Sequence, residues 1–166
     1  IAPSGRRLHD LQSLEPVFLA LEEQGIVMRL VVNFLPRSLS GLAFDELGGS
    51  FRGELLLSTS PGYDTARRIW NGAIDRHPAC IARCTGVADV VAAVRFARDH
   101  DLEIAVRGGG HNVGGTAVCD DGIVIDLSAM RAVWVDPAGR TAWVQGGALW
   151  GDVDHETQAH GLATTG

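Results

Sequence analysis

The sequence predicts an α+β fold, and three of its features lead to that class. Short apolar runs typical of strands alternate with amphipathic segments of helical period. Two alternating runs on either side of a turn sequence indicate an antiparallel hairpin beside the strand and helix units. The 166 residues, 46% of them apolar and 20% charged, have the size and composition of one globular domain with a substantial core.

The middle of the chain predicts a short helix, a strand, a longer helix and a second strand. The short helix spans 63–70 and follows the turn sequence at 58–62. A strand at 79–83 precedes a helix that starts with Thr85 as its N-cap and ends near His100, because valines recur there at helical spacing. The second strand spans 103–106.

The last third of the chain predicts a buried strand, a hairpin and a helix. The strand spans 123–127, the hairpin pairs 132–135 with 141–144 around a turn at 136–140, and the helix runs from Ala148 to about Ala159, where Gly161 ends it.

Residues 1–41 are interpreted as an N-terminal extension, and residues 42–166 as the unit that carries the motifs. Leucine and phenylalanine recur at helical spacing between Leu8 and Leu21, but Pro16 interrupts them. Because the chain begins with Ile1 rather than Met, the native start is expected to lie outside it.

The charge balance and the apolar runs exclude several classes of function. A formal net charge of −6 has the wrong sign for a general nucleic-acid binder. All 14 basic residues are arginine, so neither a phosphate-binding P-loop lysine nor a Schiff base is available. The longest apolar run, 26–35, is too short to cross a membrane. We expect neither a nucleic-acid nor a membrane partner.

The cysteines and the acidic residues near the end of the chain were considered as metal ligands. Cys80 and Cys84 could form half of a metal site, but they fall on one face of a predicted strand and are expected to be buried, inert thiols. Asp152 and His155 could share a helix face, but no third ligand is evident, so a solvated polar face is expected. Three cysteines favour a reducing compartment, and a cytoplasmic location is expected.

The segment from Arg107 to Gly115 holds five glycines in nine residues directly after a predicted strand. Such a loop either requires positive φ angles or lies too close to another group to allow a Cβ atom. Its successive amides could form an anion site, although a flexible turn is the alternative. Val113 breaks the dinucleotide fingerprint, and Gly115-Thr116 stands where a P-loop needs Lys-Ser/Thr.

This loop resembles the signature loop of FAD-linked oxidases with the p-cresol methylhydroxylase type of flavin domain, a family that includes vanillyl-alcohol oxidase. Further matches indicate the berberine-bridge-enzyme-like and hydroxynicotine-oxidase-like branch. They are Pro61-Gly62-Tyr63-Asp64, Trp70-Asn71-Gly72, Arg83-Cys84 with Asp89-Val90, Gly146-Gly147 with Trp150-Gly151-Asp152, and Gly161 to Gly166. The resemblance covers about three quarters of the chain, from Leu42 onward.

The resemblance implies an FAD site in which the loop amides hold the pyrophosphate and His111 forms a covalent bond to a methyl group of the flavin. A neutral imidazole in a rigid loop is a competent nucleophile for that bond. The alternative is a histidine that caps the loop by hydrogen bonding, and Gly146-Gly147 could equally be a simple strand-to-helix turn. The cofactor-binding residues implied are Arg107, Gly108, Gly109, Gly110, His111, Asn112, Gly114, Gly115, Gly147, Thr164 and Thr165.

The function implied is hydride transfer from a small organic substrate to flavin, with oxygen as acceptor and hydrogen peroxide as product. In this family the catalytic base lies in a later part of the chain, so no catalytic residue is identified here. The FAD domain is expected to be incomplete at its C-terminus, with further sequence or a partner chain completing it. A non-catalytic flavin-binding module is the alternative, and the failed dinucleotide spacing disfavours a nicotinamide-dependent reductase.

Overall fold

A computed structural model describes residues 41–165 of the chain, and the fold is given for those residues. The predicted extension over 1–41 lies outside the described residues except for Gly41. Its helical spacing and its boundary therefore stay predictions.

The described chain contains four helices and six strands. In chain order they are α1 (Gly41–Ser50), β1 (Glu54–Leu57), α2 (Tyr63–Ala66), β2 (Cys80–Arg83), α3 (Val87–Asp99), β3 (Ile104–Arg107), β4 (Ile123–Asp126), β5 (Val133–Asp136), β6 (Thr141–Val144) and α4 (Trp150–Gln158). None of these helices is long and apolar enough to cross a membrane.

The central sheet has four strands in the order β1-β2-β4-β3. Strands β2, β4 and β3 are parallel, and β1 is antiparallel to β2. The register aligns Arg83 and Arg107 with Asp126, so the three parallel strands end at the same edge of the sheet. The glycine-rich loop leaves the sheet at this edge, directly after β3.

The core lies on both faces of this sheet, and β4 is at its centre. All four residues of β4 are buried, which is why its sequence is a continuous apolar run ending in Asp126. On one face pack α1 and α3, where the rings of Phe44 and Phe96 lie 5.3 Å apart. On the other face Tyr63 packs with Val118, and its hydroxyl donates to the Pro78 carbonyl at 2.6 Å.

Strands β5 and β6 form a separate antiparallel hairpin, as the alternating runs predicted. The carboxylate of Asp136 accepts hydrogen bonds from the amides of Ala138 and Gly139, which fixes the turn. Trp134 faces Trp143 across the hairpin, and both are exposed. Parallel strands with a helix between them, an antiparallel edge strand and this hairpin confirm the α+β class.

Three predicted helix boundaries are wrong, each for a local reason. The helix at 63–70 ends at Ala66, since the chain then turns so that the Trp70 amide donates to the Gly110 carbonyl. Thr85 is not the N-cap of α3; its amide and hydroxyl both donate to Asp89, and Gly86 occupies the cap position. The last helix begins at Trp150 rather than Ala148, because Asp152 accepts the Leu149 amide.

Candidate functional site

The loop from Gly108 to Gly115 needs glycine for two different reasons. Gly110 and Gly115 have φ angles of 70° and 75°, which disfavour any other residue. At Gly108, a Cβ atom would lie 2.3 Å from the carbonyl oxygen of Gly146. Positive φ and close backbone approach were the two predicted causes, and both are present.

Gly109 and Gly114 have neither property. A Cβ atom on Gly109 would meet only the ring of His111, at 3.0 Å, and one on Gly114 would meet the Asn112 side chain at 3.4 Å. Positive φ therefore does not explain Gly109. Its lack of a side chain leaves room for the imidazole that folds over it.

The backbone of this loop has many free hydrogen-bond donors. Within residues 41–165, the amides from Gly109 to Gly114 donate to no backbone or side-chain oxygen, whereas the Gly115 amide donates to the Asn112 carbonyl. The Asn112 side chain accepts the Thr116 amide at 3.2 Å, which holds the end of the loop. Six successive unpaired amides form the kind of concave donor array that binds a phosphate group.

Two cavities meet at Gly109 and His111. The larger has a volume of about 780 Å³, and the hairpin, the start of α4 and the segment around Leu162 form its other walls. Its lining is mostly aliphatic, with Val135, Val144 and Leu149 among the contributors. These walls suit an apolar, planar group.

The smaller cavity, of about 440 Å³, shares Gly109 and His111 with the larger one. The glycines 108–110 line it together with Trp70 and three arginines, Arg68, Arg83 and Arg107. The Asp126 carboxylate also lines this cavity and pairs with Arg83 and Arg107. The loop amides and Arg68 are therefore the donors that suit an anion here.

Arg107 is buried, and its guanidinium is held by two neighbouring groups. It donates to the Asp126 carboxylate at 2.7 Å and to the Ala66 carbonyl at 2.5 Å. Burial raises the pKa of the Asp126 carboxyl, but hydrogen bonds from Arg107 and from the Ser128 amide outweigh burial and place that pKa below its usual value. The pair fixes the point where the loop leaves β3, and the predicted contact of Arg107 with a cofactor stays a prediction.

His111 lies at the junction of the two cavities and is exposed. Its ring accepts or donates no hydrogen bond among residues 41–165, so the alternative role as a hydrogen-bonded cap is not seen in the described part. The indole of Trp70 stacks beside it, with ring centroids 6.2 Å apart and 29° between the planes. The imidazole is thus free to react with a group in either cavity.

The remaining predicted cofactor-binding residues are placed differently. The Gly147 amide donates to the Met130 carbonyl, and a Cβ atom there would overlap the Leu127 carbonyl, so a packing requirement explains this glycine. Thr164 lines the larger cavity. Thr165 is exposed and its carbonyl accepts the Thr164 hydroxyl, while neither cavity includes it among its walls.

The three cysteines are fully buried, as predicted for two of them. Burial raises the pKa of the Cys80 and Cys84 thiols to about 12 and that of Cys119 to about 11, so all three are protonated at neutral pH. Asp152 pairs with Arg131 and caps α4. No group of three potential metal ligands lies together in residues 41–165.

From the sequence, Trp70 and Asn71 were named only as part of a motif that supports the family resemblance. In the structure, both lie against the loop. The Asn71 side chain donates to the Val113 carbonyl at 2.9 Å, and Trp70 is bonded to Gly110. Arg68 was missed as a residue of the site, and Arg83, like Trp70 and Asn71, was named only within the resemblance. The dense arginine content of 67–83 was the available signal, but it does not show which arginines face the loop.

Comparisons with known proteins agree on one family. A protein-family model described as an FAD binding domain matches residues 78–165 of this chain. Among curated proteins, (R)-6-hydroxynicotine oxidase from Paenarthrobacter nicotinovorans is 43% identical over 114 residues, which are 69% of this chain and 25% of that protein.

Solved structures give the same answer. 6-Hydroxy-D-nicotine oxidase from Arthrobacter nicotinovorans superposes with a TM-score of 0.67 at 42% identity, over 70% of this chain and 26% of that one. A BBE-like protein from Arabidopsis thaliana superposes with a TM-score of 0.58 at 25% identity, over 63% of this chain and 23% of that one. This chain spans about a quarter of the length of the relatives it matches. Since the domain model matches more than half of its residues, the chain belongs to the FAD-binding domain family of FAD-linked oxidoreductases.

Proposed function

We propose that this chain binds FAD across the glycine loop and carries it covalently on His111, as part of an FAD-dependent oxidase. One observation supports the proposal most directly: the amides of 109–111 and the His111 imidazole, unpaired among residues 41–165, belong to residues that line the smaller cavity, and Gly109 and His111 also line the larger one. A dinucleotide that combines a charged pyrophosphate with an apolar ring system needs these two environments side by side.

The residues fit the cofactor by the chemistry of their donors. The amides of 109–111, with Arg68 in the wall of the smaller cavity, would hold the pyrophosphate. The aliphatic walls contributed by Val135, Val144 and Leu149 would exclude water from the ring system. Bound FAD would take hydride from a C–H bond of a small organic substrate and pass two electrons to oxygen, giving hydrogen peroxide.

The covalent link balances as an oxidation. The His111 imidazole would give up its N–H hydrogen and form a bond from that nitrogen to the ring methyl carbon of the flavin, which would also give up one hydrogen. The two hydrogens and two electrons would pass to oxygen, giving hydrogen peroxide. What the chain contributes is a nucleophile held at the cavity junction and a loop whose amides fix the cofactor beside it.

The first test replaces the nucleophile. His111→Ala in the complete gene product is expected to abolish flavin that stays with acid-precipitated protein, while non-covalent FAD binding remains because the loop amides are unchanged. The control is His155→Ala, since His155 is an exposed histidine of α4 that lines neither cavity. Visible spectra of the acid pellets measure the covalent fraction.

Two results decide the proposal. A yellow pellet from the His111→Ala protein would show that another residue forms the link. Colourless pellets from the wild type and from His155→Ala would show that no covalent link forms. A peroxide assay with the wild-type gene product and candidate organic substrates tests the oxidase reaction separately from the link.

A further inference from the structure

We propose that Trp70 is a positioning residue for His111, and that its indole fixes the direction in which the imidazole presents its nitrogen. This inference rests on the proposed covalent link. It adds a residue from a distant part of the sequence whose role is to orient the nucleophile without touching the reacting atoms.

The first argument is that His111 has no other orienting partner among the described residues. Reactive and metal-binding histidines are usually held by a hydrogen bond at their second nitrogen. The His111 ring has no such bond within 41–165. The ring packs over the backbone of Gly109, and its aromatic contact with Trp70, at 6.2 Å between centroids, is the side-chain contact that restricts its rotation among the described residues.

The second argument is that Trp70 itself is held firmly against the loop. Its amide donates to the carbonyl of Gly110, the residue before His111, at 3.1 Å. The next residue, Asn71, donates through its side chain to Val113 and accepts the Ala73 amide. The segment 70–71 thus binds the loop on both sides of His111, and a motion of the loop would carry the indole with it.

The third argument is the exposure of the indole. Trp70 is 67% exposed, so its ring contributes little to the core of the domain. Replacing it by alanine removes the stacked ring but keeps the backbone hydrogen bond to Gly110. The orienting contact can therefore be tested without removing the bond that anchors this segment to the loop.

The experiment compares the rate of covalent flavin formation in four proteins. Apoprotein of the complete gene product is mixed with FAD, and acid-stable flavin is followed in the wild type, Trp70→Ala, Trp70→Phe and Trp134→Ala. Trp134 is the matched control, because it is an exposed tryptophan of the hairpin that lines neither cavity. An aromatic stack of ordinary strength predicts a rate lower by roughly 2- to 12-fold for Trp70→Ala. Trp70→Phe is expected to keep most of the rate.

Two further measurements separate positioning from a structural or a direct cofactor role. The affinity for FAD before the bond forms is measured in a His111→Ala background. Because Trp70 also lines the smaller cavity, adding Trp70→Ala is expected to lower this affinity by a smaller factor than it lowers the attachment rate at saturating FAD. The histidine Cε1–H signals of apoprotein labelled with ¹³C-histidine are compared, and removal of the indole is expected to shift the His111 signal through its lost ring current.

The outcomes are distinguishable. Equal rates at saturating FAD in wild type and Trp70→Ala, an unshifted His111 signal, or an affinity loss in the His111→Ala background as large as the loss of rate would each overturn this inference alone. Loss of rate in Trp70→Phe equal to that in Trp70→Ala would also contradict it, because an aromatic ring should restore the orientation. Absence of acid-stable flavin in the wild type would overturn the proposed function as well.

Discussion

Gly109 and Gly110 are adjacent residues on which the structure places different demands. Gly110 has a φ of 70°, and Gly109 has an ordinary φ with the His111 ring above it. A side chain at Gly110 strains the backbone that presents the loop amides. A side chain at Gly109 displaces the imidazole and leaves the backbone conformation allowed.

Alanine substitutions should therefore separate FAD binding from covalent attachment. Gly110→Ala is expected to weaken non-covalent FAD binding by about tenfold, the cost of roughly 1 to 2 kcal/mol for a left-handed alanine. Gly109→Ala is expected to slow attachment to His111 with a smaller change in affinity. Gly72→Ala is the control, since it has open space and no positive φ. Fluorescence titration and acid-pellet spectra measure the two effects, and equal affinities of the Gly110 variant and the control would contradict the prediction.

At the scale of single residues, the sequence indicated which residues form the loop better than it indicated which other residues they contact. The glycines and His111 could be recognised because they follow a strand in one unbroken segment. The pairing of Arg107 with Asp126 and the stack of Trp70 on His111 join residues from different segments. Those contacts depend on strand order and on where α2 ends, and neither can be derived from local spacing.

Helices α3 and α4 share a capping arrangement that differs from the predicted one. In α3 and α4 a carboxylate at the third helical position, Asp89 or Asp152, accepts an amide that precedes the helix. Thr85 was identified as a cap because threonine commonly accepts such bonds, whereas here it donates to Asp89. The strands that α3 connects were predicted to within a residue or two, whereas α1 and β1 were not predicted because their sequences lack a clear period.

The buried cap of α3 makes the stability of the domain depend on pH. Burial raises the pKa of Asp89, but bonds from the Arg52 and Thr85 amides and the Thr85 hydroxyl outweigh it and lower the pKa below its usual value. A lowered pKa in the folded state means that this stabilisation is complete above the unfolded pKa, near 4, and is lost as pH falls through the folded pKa.

Asp89→Asn is expected to lower the free energy of unfolding by about 1 to 3 kcal/mol at neutral pH, because uncharged amide oxygen is a weaker acceptor for buried donors. It should also reduce the loss of stability between about pH 5 and pH 2. Asp154→Asn, a change at an exposed carboxylate of α4, is the control. Urea unfolding across this pH range measures both effects, and parallel curves for the wild type and Asp89→Asn would refute them.

On the scale of the whole molecule, the cofactor region is assembled from both parts of the fold. The central sheet supplies the loop at the ends of its parallel strands, and the hairpin with α4 supplies the aliphatic walls. The α+β class and the loop were predictable because they depend on local periodicity. The close approach of Gly108 to Gly146 was not predictable, because it joins two distant segments of the chain.

The last prediction concerns β3, which pairs only with β4 among the described strands and so forms an edge of the sheet. Ile104 and Val106 of this strand are 39% and 56% exposed. Both lie on the face of the sheet against which α3 packs, and α3 covers that face closer to the centre of the sheet. An apolar edge strand is a template for association with a second chain. The 166-residue polypeptide is therefore expected to associate as its concentration rises, and Val106→Lys should suppress this association.

Val94→Lys adds the same charge at an exposed valine of α3 and is the control. Sedimentation velocity over a concentration series measures the effect; a monomer at every concentration, or equal suppression by both lysines, would show that the β3 edge does not mediate association.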